Sequence, residues 1–210
     1  MAKTKSIYSA AFTAGALLYQ EMDAVLPLLM QPNGEALIKE EVNKNEYLLV
    51  ASLNTRKRYV PELLRRYKAV PQNFWKDYLT FSPIARKVAL FYAVLKTYKI
   101  VWDFHINVTV EKWKSFDQTI TKEDIAYRYD ELANQDDFVA SWSDLTKSKV
   151  ISVYLHMLHQ AGMRKEAGTA LKQPELTDEE YAYYIKINEP WFLDACLLRA
   201  YQIEQIKSFL

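Results

Sequence analysis

Hydrophobic residues recur along most of this chain at intervals of three and four positions, the spacing of one face of an α-helix. Leu17, Leu18, Met22, Val25 and Leu29 predict a first helix over about 13–30, with Pro27 placed to kink it or to start a new turn. The turn "QPNG" leads to a short helix at 35–44, and then to a longer amphipathic helix starting near Asn54, a residue suited to an N-cap. Wound at about 100° per residue, this helix has Tyr59, Val60, Leu63, Leu64 and Tyr67 on one side. Lys57, Arg58, Arg65 and Lys68 fall on the other, with Thr55 and Arg56 at the entrance. Pro61 predicts a division of the stretch: either the helix kinks there, or the regular helix starts at Pro61 with "ELLRRYK" on it and "NTRKR" on a preceding turn. Pro71 opens a further short helix around "QNFWKDYL".

The segment "SPIARKVALFYAVLKTYKIVWDFHI" is nearly continuous in apolar character, with Ser82 at a cap and Pro83 at the first helical position, and reads as the central buried helix or helix pair. Beyond it, "TITKEDIAYRYDELANQ" has a cap at Thr121, with Glu123 and Asp124 in the first turn. The short "DDFVASW" precedes a helix over about 144–161, capped by Ser143 and ended by Gly162. On that helix Val150, Val153, Tyr154, Met157 and Ala161 form the apolar stripe, leaving Ser148, Lys149, Ser152, His156 and His159 outward. "MRKEAGTALKQPEL" reads either as a short β-hairpin wing or as a polar loop. Thr177 and Glu180 have capping-box spacing, and "PWFLDACLLRAYQIEQIKSFL" reads as a closing amphipathic helix.

The pattern thus predicts a mainly all-α, compact multi-helix protein built on three-helix units of helix-turn-helix or winged-helix type. An N-terminal region, 1–115, holds one such unit (about 13–70) and the buried pair (83–115). A C-terminal region, 116–210, holds a winged-helix-like unit (about 121–173) and closing helices (177–209).

Composition supports a real core, since half of the 210 residues are hydrophobic and only four are Gly. Cys196 is the single cysteine, which excludes an internal disulfide or a thiolate metal site and fits a reducing cytoplasm. The basic and apolar start imitates a secretory leader, but Gln20, Glu21 and Asp23 follow at once, so it reads as mature structure. Lys96, Lys99 and Asp103 interrupt the best membrane candidate, and no membrane association is expected.

The net charge of +1 conceals a division. Residues 1–115 carry 17 Lys/Arg and 10 Asp/Glu, or +7, whereas residues 116–210 carry 10 and 16, or −6. Segregated charge speaks to partners, and part of the first half is placed to meet a polyanion. Small polar and cationic residues near a helix N-terminus are what a major-groove reader presents to phosphates and base edges. The candidate contacts are Thr55, Arg56, Lys57, Arg58, Arg65 and Lys68 in the first unit. Lys147, Ser148, Lys149 and Ser152 follow in the second, with Arg164 and Lys165 on its wing. The competing explanation is an ordinary solvated helix face on which long cationic chains simply snorkel.

Enzymatic signatures do not emerge: there is no Walker-type loop, GxGxxG, GxSxG or HExxH. His156 and His159 lack a carboxylate at helical spacing, so no metal site or cofactor is expected. The pairs Asp136/Asp137 and Glu179/Glu180 fit helix starts better than acid–base catalysis.

The stretches "YSAAFTAGALLYQEMDAVLPLL", "LNTRKRYVPELLRRYKAVP", "ARKVALFYAVLKTYKIVWDFHINV" and "WSDLTKSKVISVYLHMLHQAGM", in this order and spacing, resemble the BrxA family of bacterial BREX (bacteriophage exclusion) defence systems. The resemblance covers about residues 7–205. It implies a helical, cytoplasmic, non-catalytic protein that binds double-stranded DNA and works beside a methyltransferase, an ATPase and other BREX proteins. Pro27 and Pro61 depart from the family's leucine- and charge-rich helices. Two other functions are compatible with the residues: a protein-interaction adaptor docked through its charge asymmetry, and an RNA-binding helical bundle.

Overall fold

The computed structural model describes residues 6–165, 168–208 and 210. Almost all regular structure in it is helical, as the periodicity predicts, and one continuous cluster of buried hydrophobic side chains runs from Phe12 to Ile206. Among the described residues no helix is long and apolar enough to cross a membrane.

The expected first helix is replaced by a 3₁₀ turn, Ala11–Ala14, and a helix α1, Tyr19–Leu29, that runs through Pro27. The break arises because Gly15 is extended and Leu18 adopts φ +54°, which turns Leu17 and Leu18 into the core. Backbone groups buried by such a break must find partners elsewhere. Arg66 Nη1 donates to the Leu17 carbonyl at 2.8 Å and Nη2 to that of Gly15 at 3.0 Å, while the Leu17 N–H donates to Gln160 Oε1 at 3.0 Å.

Next come α2 (Gly34–Lys44), α3 (Leu53–Ala69) and α4 (Gln72–Tyr78). Ser52, not Asn54, caps α3, its hydroxyl accepting the Thr55 N–H at 3.3 Å. The helix is also undivided at Pro61. Pro61 itself is exposed, whereas Val60, Glu62 and Leu63 on either side are buried, and this packing holds the helical path despite one missing hydrogen bond.

The central helix α5, Pro83–Thr97, starts as expected at Ser82 and Pro83, and every residue from Val88 to Leu95 is buried. Tyr98, in an extended conformation, ends α5 and begins α6 (Lys99–Phe104); its N–H still reaches Val94 O and its carbonyl accepts from Trp102. A π-helical turn, His105–Val110, and the short α7, Glu111–Lys114, follow.

The next three helices are α8 (Lys122–Ala133), α9 (Asp137–Ala140) and α10 (Asp144–Gln160). Thr121 and Asp124 form a capping box, Asp136 caps α9, and Ser143 caps α10 as expected. Gly162, at φ +74°, ends α10: its N–H bonds His159 O and that of Met163 bonds Leu158 O, satisfying the last carbonyls as a left-handed C-terminal residue does.

The expected hairpin wing is present only as isolated antiparallel bridges, Arg164 with Leu171 and Thr119 with Ala170; its tip, residues 166–167, lies outside the described residues. The closing segment is not one helix. After α11, Asp178–Lys186, with its Thr177/Glu180 capping box, it divides into α12 (Trp191–Ala195) and α13 (Ala200–Ser208). Leu197 at φ +62° makes the turn, stabilised by its complete burial and by Gln173 Nε2 donating to its carbonyl at 2.8 Å.

Candidate nucleic-acid interface

On α3, Lys57, Arg58, Arg65 and Lys68 are exposed and Val60 and Leu63 are buried, the division the helical winding predicts. The sixth cation, Arg66, is fully buried. Its Nε donates to Glu62 Oε1 at 2.7 Å, and Arg65 Nη1 donates to Glu62 Oε2 at 2.9 Å and to Tyr98 Oη at 2.7 Å. Tyr98 in turn donates to Glu62. Burial, followed by the Glu62 carboxylate, pushes the Tyr98 phenol above its ordinary pKa. The sequence signal for this lock is Glu62 itself, the lone acid in the basic stretch, four residues before Arg66.

The remaining α3 cations differ in availability. Arg56 clamps the loop before the helix, with Nε donating to Val42 O at 2.8 Å and Nη1 to Ala51 O at 3.0 Å. Half-buried Thr55 is held at the cap. Arg58 Nη2 donates to Thr13 O at 3.2 Å. Lys68 pairs with Glu35, which also holds Lys39 at 2.8 Å; bonds from Lys39 and Lys68 keep the Glu35 carboxyl at a pKa of about 2. Lys57 has no ion pair among the described residues.

On α10, Ser148, Lys149, Ser152 and His156 are exposed, whereas Val150, Tyr154 and Met157 are buried. Ser152 Oγ donates to Ser148 O at 2.8 Å, which leaves its lone pairs free to accept. Lys147 is less available: its ammonium pairs with Asp130 and lies 5.2 Å from the Tyr129 ring centroid. The inner face is anchored by His105, whose Nε2–H donates to Ala195 O at 2.7 Å, so that Nδ1 accepts from Tyr154 Oη at 3.1 Å. Thr109 then donates to Tyr154 at 2.5 Å. Burial pushes the His105 pKa down to about 4, against the opposing pull of the Ala195 carbonyl.

The 3₁₀ turn Ala11–Ala14 packs against both α3 and α10. Beside it a cleft of about 470 Å³ is lined by Tyr59 of α3, Lys87 of α5, His156 and Gln160 of α10 and the chain from Gly15 to Glu21. Lys87 was not among the sequence candidates; its ammonium lies 5.5 Å from the Tyr19 ring centroid. After α10, the Lys165 N–H donates to Ala170 O at 3.0 Å, which fixes the backbone beside half-buried Arg164 and leaves the Lys165 side chain exposed.

Residues 6–189 match the family described as BrxA. The chain belongs to the BrxA family. A relative named "BREX protein BrxA", from Bacillus cereus (strain H3081.97), is 25% identical over 161 residues, covering 77% of this chain and 80% of that protein. The BrxA-family fold seen here also matches the crystal structure of an uncharacterized protein from Magnetospirillum magneticum, with a TM-score of 0.77 and 20% identity, over 91% of this chain and 98% of the other.

Proposed function

We propose that this chain is a non-catalytic, double-stranded-DNA-binding accessory protein of a BREX phage-exclusion system, acting in the cytoplasm beside the system's methyltransferase and ATPase. The chief support is the outer face of α10. It presents Ser148, Lys149, Ser152 and His156 to solvent on a well-capped helix, preceded by two shorter helices and followed by an antiparallel turn bearing Arg164 and Lys165. This is the order of parts in a winged helix-turn-helix reader. Lys57 and Arg58 line a cleft with Ala11, Thr13 and Ala14 of the turn on which α10 also packs, which supports counting them with that surface, and membership of the BrxA family supplies the biological setting.

In this reading Lys149, Lys165, Lys57 and Arg58 contact phosphates, and Ser148 and Ser152 face base edges or sugar–phosphate. Arg56, Arg65, Lys68 and Lys147 shape the surface from within the ion-pair and carbonyl contacts they already make. Competition binding with a labelled duplex tests it. Unlabelled duplex should displace the probe far better than structured or single-stranded RNA of equal length, and Lys57→Glu with Lys149→Glu should abolish the preference. Equal displacement by RNA would assign the surface to a different nucleic acid.

A further inference from the structure

A second surface lies outside these contacts. Between the π-helical turn, α7 and α8 runs a groove of about 550 Å³, whose walls include Val108 and Tyr127. Its rim is acidic, with Glu111, Glu123, Asp124 and Glu131. The two cations lining it are each held between two carboxylates: Lys112 by Asp117 and Asp124, both at 2.9 Å, and Arg128 by Asp103 at 2.6 Å and Glu131 at 2.8 Å. Lys114 stands nearby, 3.9 Å from Glu111 and 3.5 Å from Asp194. Glu123 has no ion pair among the described residues, so the groove keeps a negative surplus after its internal pairing.

One exposed aromatic side chain lies on the groove wall and another follows a groove residue directly in the chain. Tyr127, on the groove wall, is 71% exposed, and Phe116, next to the groove residue Ser115, is fully exposed. An isolated apolar side chain on a surface is ordinary, but an exposed tyrosine on the wall of an apolar-walled, charged groove, with an exposed phenylalanine one residue beyond the groove residue Ser115, has the composition of an interaction site.

We infer that this groove docks a basic segment of a second protein, one that alternates arginine or lysine with leucine or an aromatic residue. Charge complementarity selects a cationic occupant, and the exposed Phe116 and Tyr127 select one that carries apolar anchors as well. A second copy of this chain is the weaker fit. The cationic surface it could offer is the Lys57, Arg58 and Lys149 face, and using that face would make self-association and duplex binding mutually exclusive. The inference does not depend on the duplex reading, because the two surfaces share no residue.

Fluorescence polarisation with labelled octapeptides tests it, using the full chain. A peptide alternating arginine and leucine should bind at least about tenfold more tightly than one alternating arginine and serine, or glutamate and leucine. Glu123→Lys and Phe116→Ser, both at exposed positions, should each weaken that binding at least about fivefold while leaving duplex affinity within about twofold. Tyr127→Ser gives an independent third reading should either variant fold poorly. Equal binding of the arginine–serine peptide would reduce the groove to charge alone and overturn the inference, as would unchanged binding by all three variants. Concentration-dependent self-association in sedimentation, lost in Phe116→Ser, would assign the groove to a second copy and overturn it too.

Discussion

Helices α3 and α10 look alike in outline: each has 17 residues, a serine cap and lysines on its outer face. They differ in what their cations already hold. Of six on α3, Arg56 and Arg58 donate to backbone carbonyls, Arg65 and Arg66 converge on Glu62, and Lys68 pairs with Glu35. Lys57 alone has no such partner among the described residues. On α10, Lys147 is tied to Asp130, but Lys149, exposed beside Ser148, Ser152 and His156, has no ion pair among the described residues. A run of positive charge in a sequence is therefore not a measure of positive charge available to a ligand. The richer helix is largely a clamp for the chain around it, and the poorer one is better placed to present a surface.

The sharpest way to break this contrast is Arg66→Ala. It leaves Glu62 buried with one cation fewer and strips the Gly15 and Leu17 carbonyls of their donor, so unfolding free energy should fall by about 3–5 kcal/mol. Urea denaturation checks it. Lys149→Ala on α10 should stay within about 0.5 kcal/mol of the parent by the same measurement. A comparable loss in both variants would erase the distinction between clamp and surface.

The inner side of α10 gives the next effect. His105 is neutral in the fold because burial lowers its pKa to about 4. Below about pH 6.5 the unfolded chain takes up a proton that the folded chain refuses, so stability present above that pH is lost progressively as pH falls towards about 4. The full loss is about 3 kcal/mol. In His105→Gln this component of the stability–pH curve should vanish, and a curve of unchanged shape would remove His105 from the account.

Two smaller effects sharpen the outer face. Lys149→Glu should weaken duplex binding about tenfold whatever the sequence, as loss of a phosphate contact does. Lys68→Glu should have less effect, because Glu35 already neutralises Lys68. Replacing Ser148 and Ser152 together by Ala should cost about two- to fivefold, without changing the salt dependence, since hydroxyl contacts release no counterions.

Much of this was legible in the sequence where local chemistry decides the structure. The caps at Ser82, Thr121, Ser143 and Thr177 and the stop at Gly162 rest on residues within a few positions of each other, and each stands where the pattern predicts. The helix breaks at Leu18 and Leu197 were not legible, although Gly15 stands beside the first. Leu18 and Leu197 take left-handed conformations because long-range burial and side chains such as Arg66, Gln160 and Gln173 compensate the local strain. Pro61 erred the other way, as tertiary packing carries α3 through a residue that disfavours helix locally. At the candidate surface the winding separated most inward from outward residues, but His159, expected outward, is half-buried with its Nδ1 buried, and Val153, expected inward, is only half-buried. Of the engaged outward cations, only Arg65 with Glu62 and Arg56 with Ala51 are tied to near neighbours; the partners Glu35, Val42, Thr13 and Asp130 lie far off in sequence.

The central claim is that the exposed face of α10, extended by Lys57 of α3, binds duplex DNA through phosphate contacts. Fluorescence anisotropy of a labelled duplex across a salt series tests it most directly, comparing the parent chain with the Lys57→Ala, Lys149→Ala double variant. The slope of log affinity against log salt should become shallower by about 1.8, at roughly 0.9 for each contact removed. An unchanged slope and affinity in the double variant, or no duplex binding by the parent at about 50 mM salt, would contradict it.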